Sequence, residues 1–177
     1  GLNPGDRFGI ALRDNTDMLL MFFAASYAGI VIVPINWRLS AEAQSDIAEH
    51  LSLKKIIGIR PTGRPCDVVF DGLSVEEADN CKPAIPFSLG KQSKHLTGDH
   101  TFMIKLSSGS TGFPKGALVS HETMIRRFKN AADTNITLRH PSETRFLSLL
   151  PLSFSGGSDS AIYNLFAGNT VVLFPPI

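Results

Sequence analysis

The ten residues from Ser107 to Gly116, SSGSTGFPKG, gather hydroxyl groups, glycines and one lysine into a single short stretch. Holding a phosphate requires backbone N–H groups that converge on a point, small residues that let the backbone approach, and a cation for the remaining charge. Gly109, Gly112 and Gly116 permit that approach, Ser107, Ser108, Ser110 and Thr111 carry hydroxyl donors, and Lys115 supplies the cation, with Pro114 stiffening its approach. The chemistry that fits is the holding of a nucleotide's phosphates, although a solvated turn has the same composition. The stretch is not a Walker A loop, because the lysine precedes Gly116 and no hydroxyl residue follows it. Nor is it a G-x-G-x-x-G dinucleotide fingerprint.

Other residues with chemical potential are less pointed. SGGSDS approaches the G-x-S-x-G nucleophile elbow at Gly156, Ser158 and Ser160, but Ser160 replaces the last glycine and no histidine follows to complete a hydrolase triad. Arg126, Arg127 and Lys129 fall on different sides of a helix and are expected to be solvated. His50, His95, His100 and His140 lack a partner at metal-ligand spacing and are expected at the surface, whereas His121 follows the loop closely enough to touch a nucleotide or to cap a helix. Cys66 and Cys81 have no zinc-ligand companions and read as free thiols in a reducing, cytoplasmic compartment.

The elements that must position these groups follow from periodicity. Strands are predicted in RFGIALR, GIVIVPI, KKIIGIR, CDVVF, TFMIKLS, TRFLSLLPL and NTVVLFPP, and the fifth of these leads straight into the glycine-rich loop. Helices are predicted in TDMLLMFFAASYAG, SAEAQSDIAEHLS with Ser40 as N-cap, SHETMIRRFKNAADT with Ser120 as N-cap, and SDSAIYNLFAG ending at Gly168. The first is apolar nearly all round and should be sandwiched between layers. On the third, Met124, Ile125, Phe128 and Ala132 are expected to share one face. Strands alternating with helices imply an α/β fold, a largely parallel sheet flanked by helices. Residues from about 61 to 100, broken by Pro61, Pro65, Pro83 and Pro86, read as a variable surface excursion.

Of the 177 residues 43% are hydrophobic and 19% charged, a globular composition, and the net charge of +1 provides no general attraction for nucleic acid. The uncharged run from Met18 to Ile35 is eighteen residues long, but N-cap chemistry at Asn15 to Asp17, the stop at Gly29 and the β-branched IVIVP split it into a helix and a strand. No membrane span is expected, and no secretory signal precedes the run.

Ser107 to Gly116 resembles the signature T-S-G-[ST]-T-G-x-P-K-G of the adenylate-forming (AMP-binding) enzymes, a family of acyl- and aryl-CoA synthetases, luciferases and peptide-synthetase adenylation domains. Nine of its ten positions match, and Val119 to His121 is similar to the close of the motif. The resemblance covers nearly the whole chain: GDRFGIALRDNTDMLLMFFAASYAGIVIVPINWRLSAEA is similar to the family's early segment, and FLSLLPLSFSGGSDSAIYNLFAGNTVVLFPP to its later L-P-[LM]-F-H-x-x-G stretch. Two positions depart from the pattern. Leu106 stands where an aromatic residue is usual, and Ser153-Phe154 replaces Phe-His, so the imidazole that commonly lines the acyl pocket is missing.

The resemblance implies an enzyme that joins a carboxylic acid to ATP with Mg²⁺, releases pyrophosphate and passes the acyl group to coenzyme A or to a carrier-protein thiol. It implies that Ser107, Ser108, Gly109, Ser110, Thr111, Gly112 and Lys115 hold the phosphates, that His121 approaches the nucleotide, and that Ser153, Phe154, Ser155, Gly156 and Gly157 border the acyl site. The family's Y-G-x-T-E and T-G-D segments and its catalytic-lysine domain have no counterpart in the sequence. Residues 1–177 therefore read as part of the large N-terminal domain, a fragment without turnover of its own. The contrasting expectation is a self-contained nucleotide-binding or scaffold module that does not catalyse.

Overall fold

The computed structural model describes residues 1–13, 15–59, 67–69 (backbone only), 96–107, 114–135, 138 and 144–174. Its elements are β1 (Arg7–Ala11), α1 (Asn15–Tyr27), β2 (Val31–Pro34), α2 (Ala41–His50), β3 (Lys55–Gly58), β4 (Asp67–Val69), β5 (Thr101–Ser107), β6 (Lys115–Ser120), α3 (His121–Thr134), β7 (Arg145–Ser148), α4 (Ser155–Phe166) and β8 (Thr170–Leu173). Six strands form one sheet in the order β4-β3-β1-β2-β5-β6, parallel throughout except for the antiparallel β5–β6 pair. The last two strands do not join it. β7 and β8 pair with each other, in parallel, as a separate sheet.

Alternation along the strands sends side chains to two cores, one on each face of the larger sheet. Ile10, Ile32 and Met103 meet α1, α3 and α4 through Phe22, Met124 and Ile162. Val33, Ile35, Ile56 and Ile104 meet α2 through Ile47 and Ala48. Capping follows the sequence: the Ala43 N–H donates to Ser40 Oγ at 3.2 Å and the Thr123 N–H to Ser120 Oγ at 3.1 Å. Gly29, at φ +72°, ends α1 in the left-handed conformation.

Three expectations change. α1 is not sandwiched: Met18, Leu19, Phe22 and Ala25 are buried on one side, while Leu20 is 51% exposed and Phe23 and Tyr27 are also open. On α3, Ile125 is exposed beside buried Met124, because successive helical residues lie about 100° apart and only the Met124 side faces the sheet. α4 begins at Ser155, three residues before the predicted start, which puts Gly156 and Gly157 inside its first turn. Among the described residues no helix is long and apolar enough to cross a membrane. The thiols of Cys66 and Cys81, with His95 and His140, lie outside the described residues.

Candidate functional site

The glycine-rich stretch joins the two strands of a hairpin. In the β5–β6 register Ser107 pairs with Lys115, and Ser107 Oγ donates to the Lys115 carbonyl at 3.3 Å. β6 is an addition to the predicted elements. It lies at the sheet edge with its Leu118 side chain 66% exposed and only Val119 fully buried, so KGALVS carries little hydrophobic alternation. Ser108 to Phe113 lie outside the described residues, and with them Gly109, Ser110, Thr111 and Gly112. What the structure describes is the base from which they spring. Ser107 and the Lys115 side chain are solvent-exposed at the carboxyl edge of the parallel strands, the edge at which open α/β sheets receive ligands. Pro114 sits in a crevice with Ile47, His50, Leu51 and Leu106, so the end of α2 buttresses the return strand. Gly116 is needed there: a Cβ on it would come within 2.8 Å of Ile104 Cγ2.

His121 occupies the opposite end of this hairpin. Ser120 pairs with Thr101 at the start of β5, five strand steps or about 17 Å from Lys115. The structure therefore does not bring His121 together with Ser107 and Lys115. Its ring packs on Phe102 with centroids 5.2 Å apart, and its backbone N–H donates to the His100 carbonyl at 3.0 Å. Burial, reinforced by the neighbouring His100, holds the imidazole below its usual range. Ser120, one residue earlier, is the helix cap.

The segment bordering the expected acyl site leads into α4. Leu152 is fully buried, its N–H donating to Asn15 Oδ1 at 3.4 Å, and the Asn15 Nδ2 group donates to the Phe174 carbonyl at 3.2 Å. Asn15 follows β1, so it fastens this segment to the carboxyl edge of the larger sheet. Phe154, 53% exposed, is the N-cap residue of α4 without a side-chain cap bond. The two glycines after Ser155 differ in kind. A Cβ on Gly157 would collide with the carbonyls of Pro151 and Leu150, whereas one on Gly156 would meet only Leu150 Cδ1, at 3.4 Å. Gly157 thus serves the approach of the chain to itself, and Gly156 leaves the backbone open to the outside.

Ser158, the central residue of the elbow-like SGGSDS, is buried, and its hydroxyl donates to the carbonyls of Phe154 (3.1 Å) and Ser155 (3.3 Å). Turned back on its own helix, it has no nucleophile's exposure. Arg126, Arg127 and Lys129 are all exposed along α3. Sequence reasoning passed over one pair. Lys105, in the middle of β5, is buried with its ammonium group on the Asp159 carboxylate of α4. A lysine within TFMIKLS was the visible signal, but its partner is 54 residues away. One turn further along α4, Tyr163 is pushed above its usual range by burial and by Asp159, with Arg127 opposing.

Residues 1–177, the whole chain, match the family described as AMP-binding enzyme. The chain belongs to the AMP-binding enzyme family. Within that family it is 27% identical, over 99% of its length, to the long-chain-fatty-acid–CoA ligase FadD13 of Mycobacterium tuberculosis, of which it covers 36%. It is 28% identical over 98% of its length to the 2-succinylbenzoate–CoA ligase of Bacillus licheniformis, covering 35% of it. The inhibitor-bound N-terminal domain of FACL13 from Mycobacterium tuberculosis has the same fold, with a TM-score of 0.80 at 25% identity, matching all of this chain and 46% of that one. The chain thus spans about a third of the length of these curated relatives.

Proposed function

We propose that these residues belong to the N-terminal domain of an ATP-dependent ligase that activates a carboxylic acid as its acyl-adenylate and transfers it to a thiol, that of coenzyme A. In the first step a carboxylate oxygen attacks the α-phosphorus and the bond to the bridging oxygen breaks, so negative charge moves onto the departing pyrophosphate. In the second the thiolate attacks the acyl carbonyl and AMP leaves. Ser107 to Gly112 with Lys115 hold the β- and γ-phosphates, where N–H groups, hydroxyls and the lysine stabilise the charge that develops. Ser153 to Gly157 border the acid. The single observation that carries this reading is the Ser107–Lys115 closure of the hairpin, which sets these two exposed residues opposite each other at the carboxyl edge of the sheet.

β6 carries His121 to the other edge of the sheet, away from Ser107 and Lys115. Mg²⁺ would arrive with the nucleotide. Among the described residues no group of three or more His, Cys, Asp or Glu side chains could hold a metal. The remaining machinery, including a C-terminal domain with a catalytic lysine, belongs to a longer protein, so residues 1–177 alone are not expected to turn over. The test is pyrophosphate release by the whole protein with Mg·ATP and a panel of aliphatic and aromatic acids, followed by addition of coenzyme A. Acid-dependent release with a thioester formed on coenzyme A is the expected result. Release that yields a thioester only on a carrier protein would change the acceptor, and no acid-dependent release would overturn the reading.

A further inference from the structure

Lys105 is an anomaly of position. Side chains on β5 alternate, so Lys105 points to the same face as Met103, toward the core formed with α1, α3 and α4, to which the neighbouring strands contribute Ile32 and Val119. Only 8% of its side chain is exposed, and Asp159, 22% exposed, meets its ammonium group. A buried ion pair is a poor device for stability, because the cost of removing both charges from water commonly equals or exceeds their attraction, and an apolar pair of similar volume does as well or better. What the pair offers is direction, since the two groups tolerate few relative positions.

The elements it connects are the ones the proposed reaction must hold in register. Two residues beyond Lys105 the strand ends at Ser107, locked to Lys115. Asp159 lies about one helical turn after Ser155 and Gly156, on a helix that also packs against the separate β7–β8 sheet. Among the described residues no strand pairing joins that sheet to the larger one. We infer that Lys105 and Asp159 are a positioning pair, which fixes the phosphate-holding strand end against the acid-bordering turn of α4. This rests on the ligase reading above. In-line attack needs the reacting atoms about 3–3.5 Å apart, and a displacement of about 1 Å is enough to slow a reaction about 100-fold.

Stability and catalysis separate in a set of three variants of the whole protein. Lys105→Met and Asp159→Leu each leave one charge buried alone and should lower the melting temperature. The double variant removes both charges and should melt at or above the wild-type temperature. If the pair positions the two halves, this stable double variant still releases pyrophosphate about 10- to 100-fold more slowly, with the KM values for acid and ATP changed little. A stable double variant with wild-type kcat would reduce the pair to packing and overturn the inference. So would a double variant that fails to fold, since the pair would then be a determinant of the fold. If the wild-type protein releases no pyrophosphate with any acid, it is the ligase reading that fails, and the positioning role, which rests on it, falls with it.

Discussion

The two ends of the β5–β6 hairpin are built from the same pair of strands and serve opposite purposes. At the carboxyl edge Ser107 and Lys115 close a base whose polar groups face solvent. At the amino edge Ser120 caps α3 and His121 is drawn against Phe102 and the His100 carbonyl. In the sequence His121 is six residues from Lys115 and looks like part of the same motif. In the structure an antiparallel strand carries it to the far side of the sheet. Nearness along the chain therefore does not make a site: an extended strand separates its ends faster than any other element.

Substitutions at the two ends should differ in kind. Lys115→Ala should slow acid-dependent pyrophosphate release by the whole protein about 100-fold, the scale of losing one preorganised stabilising group, without lowering the melting temperature. An unchanged rate would remove the contrast between the ends altogether. Gly116→Ala tests whether the base of the loop is packed as well as polar. Its Cβ would press on Ile104 Cγ2 at 2.8 Å, and a destabilisation of about 1–3 kcal/mol is expected in urea unfolding. Ser120→Ala, at the other end, should cost about 1 kcal/mol through the lost cap and leave the kinetics of pyrophosphate release alone. A kinetic defect there would mean that the amino edge reaches the site after all.

The smallest effect is expected from His121→Phe. The native environment lowers the pKa of His121 below 6.5, its usual value, so the unfolded chain takes up this proton more readily than the folded one. Its contribution to stability is therefore complete above about pH 6.5 and declines as pH falls below it. Phenylalanine keeps the stacking on Phe102 and cannot titrate. Melting temperatures measured from pH 7 to pH 5 should fall less in the variant than in the wild type. Equal slopes would show that His121 is not the group responsible.

Much of the fold was legible because its rules are local. β-branched runs marked β2 and β3, Ser40 and Ser120 announced the helices that begin at the next residue, and Gly29 marked the end of α1 by the one backbone conformation that disfavours a side chain. The edge strand β6 escaped notice because it buries so little that its residues need not alternate. Exposure of one side of α1 was equally hidden, since an all-round apolar helix looks the same whether or not anything covers it. Of the site, the loop signature was plain from the order of its residues. The Asn15 anchor between Leu152 and Phe174, and the steric need for Gly157, were not.

The sequence by itself determined the family, through a glycine, hydroxyl and lysine order that few other chemistries require, and, β6 excepted, it determined which segments coil and which extend. Only the tertiary structure decided partners: that Ser107 faces Lys115, that His121 leaves them, and that Lys105 finds Asp159. The physical reason is range. Backbone preference, capping and periodicity act within a few residues and are written where they act. The partner of a buried charge or a close-packed glycine is chosen by the packing of segments far apart in the chain, and no local pattern records it.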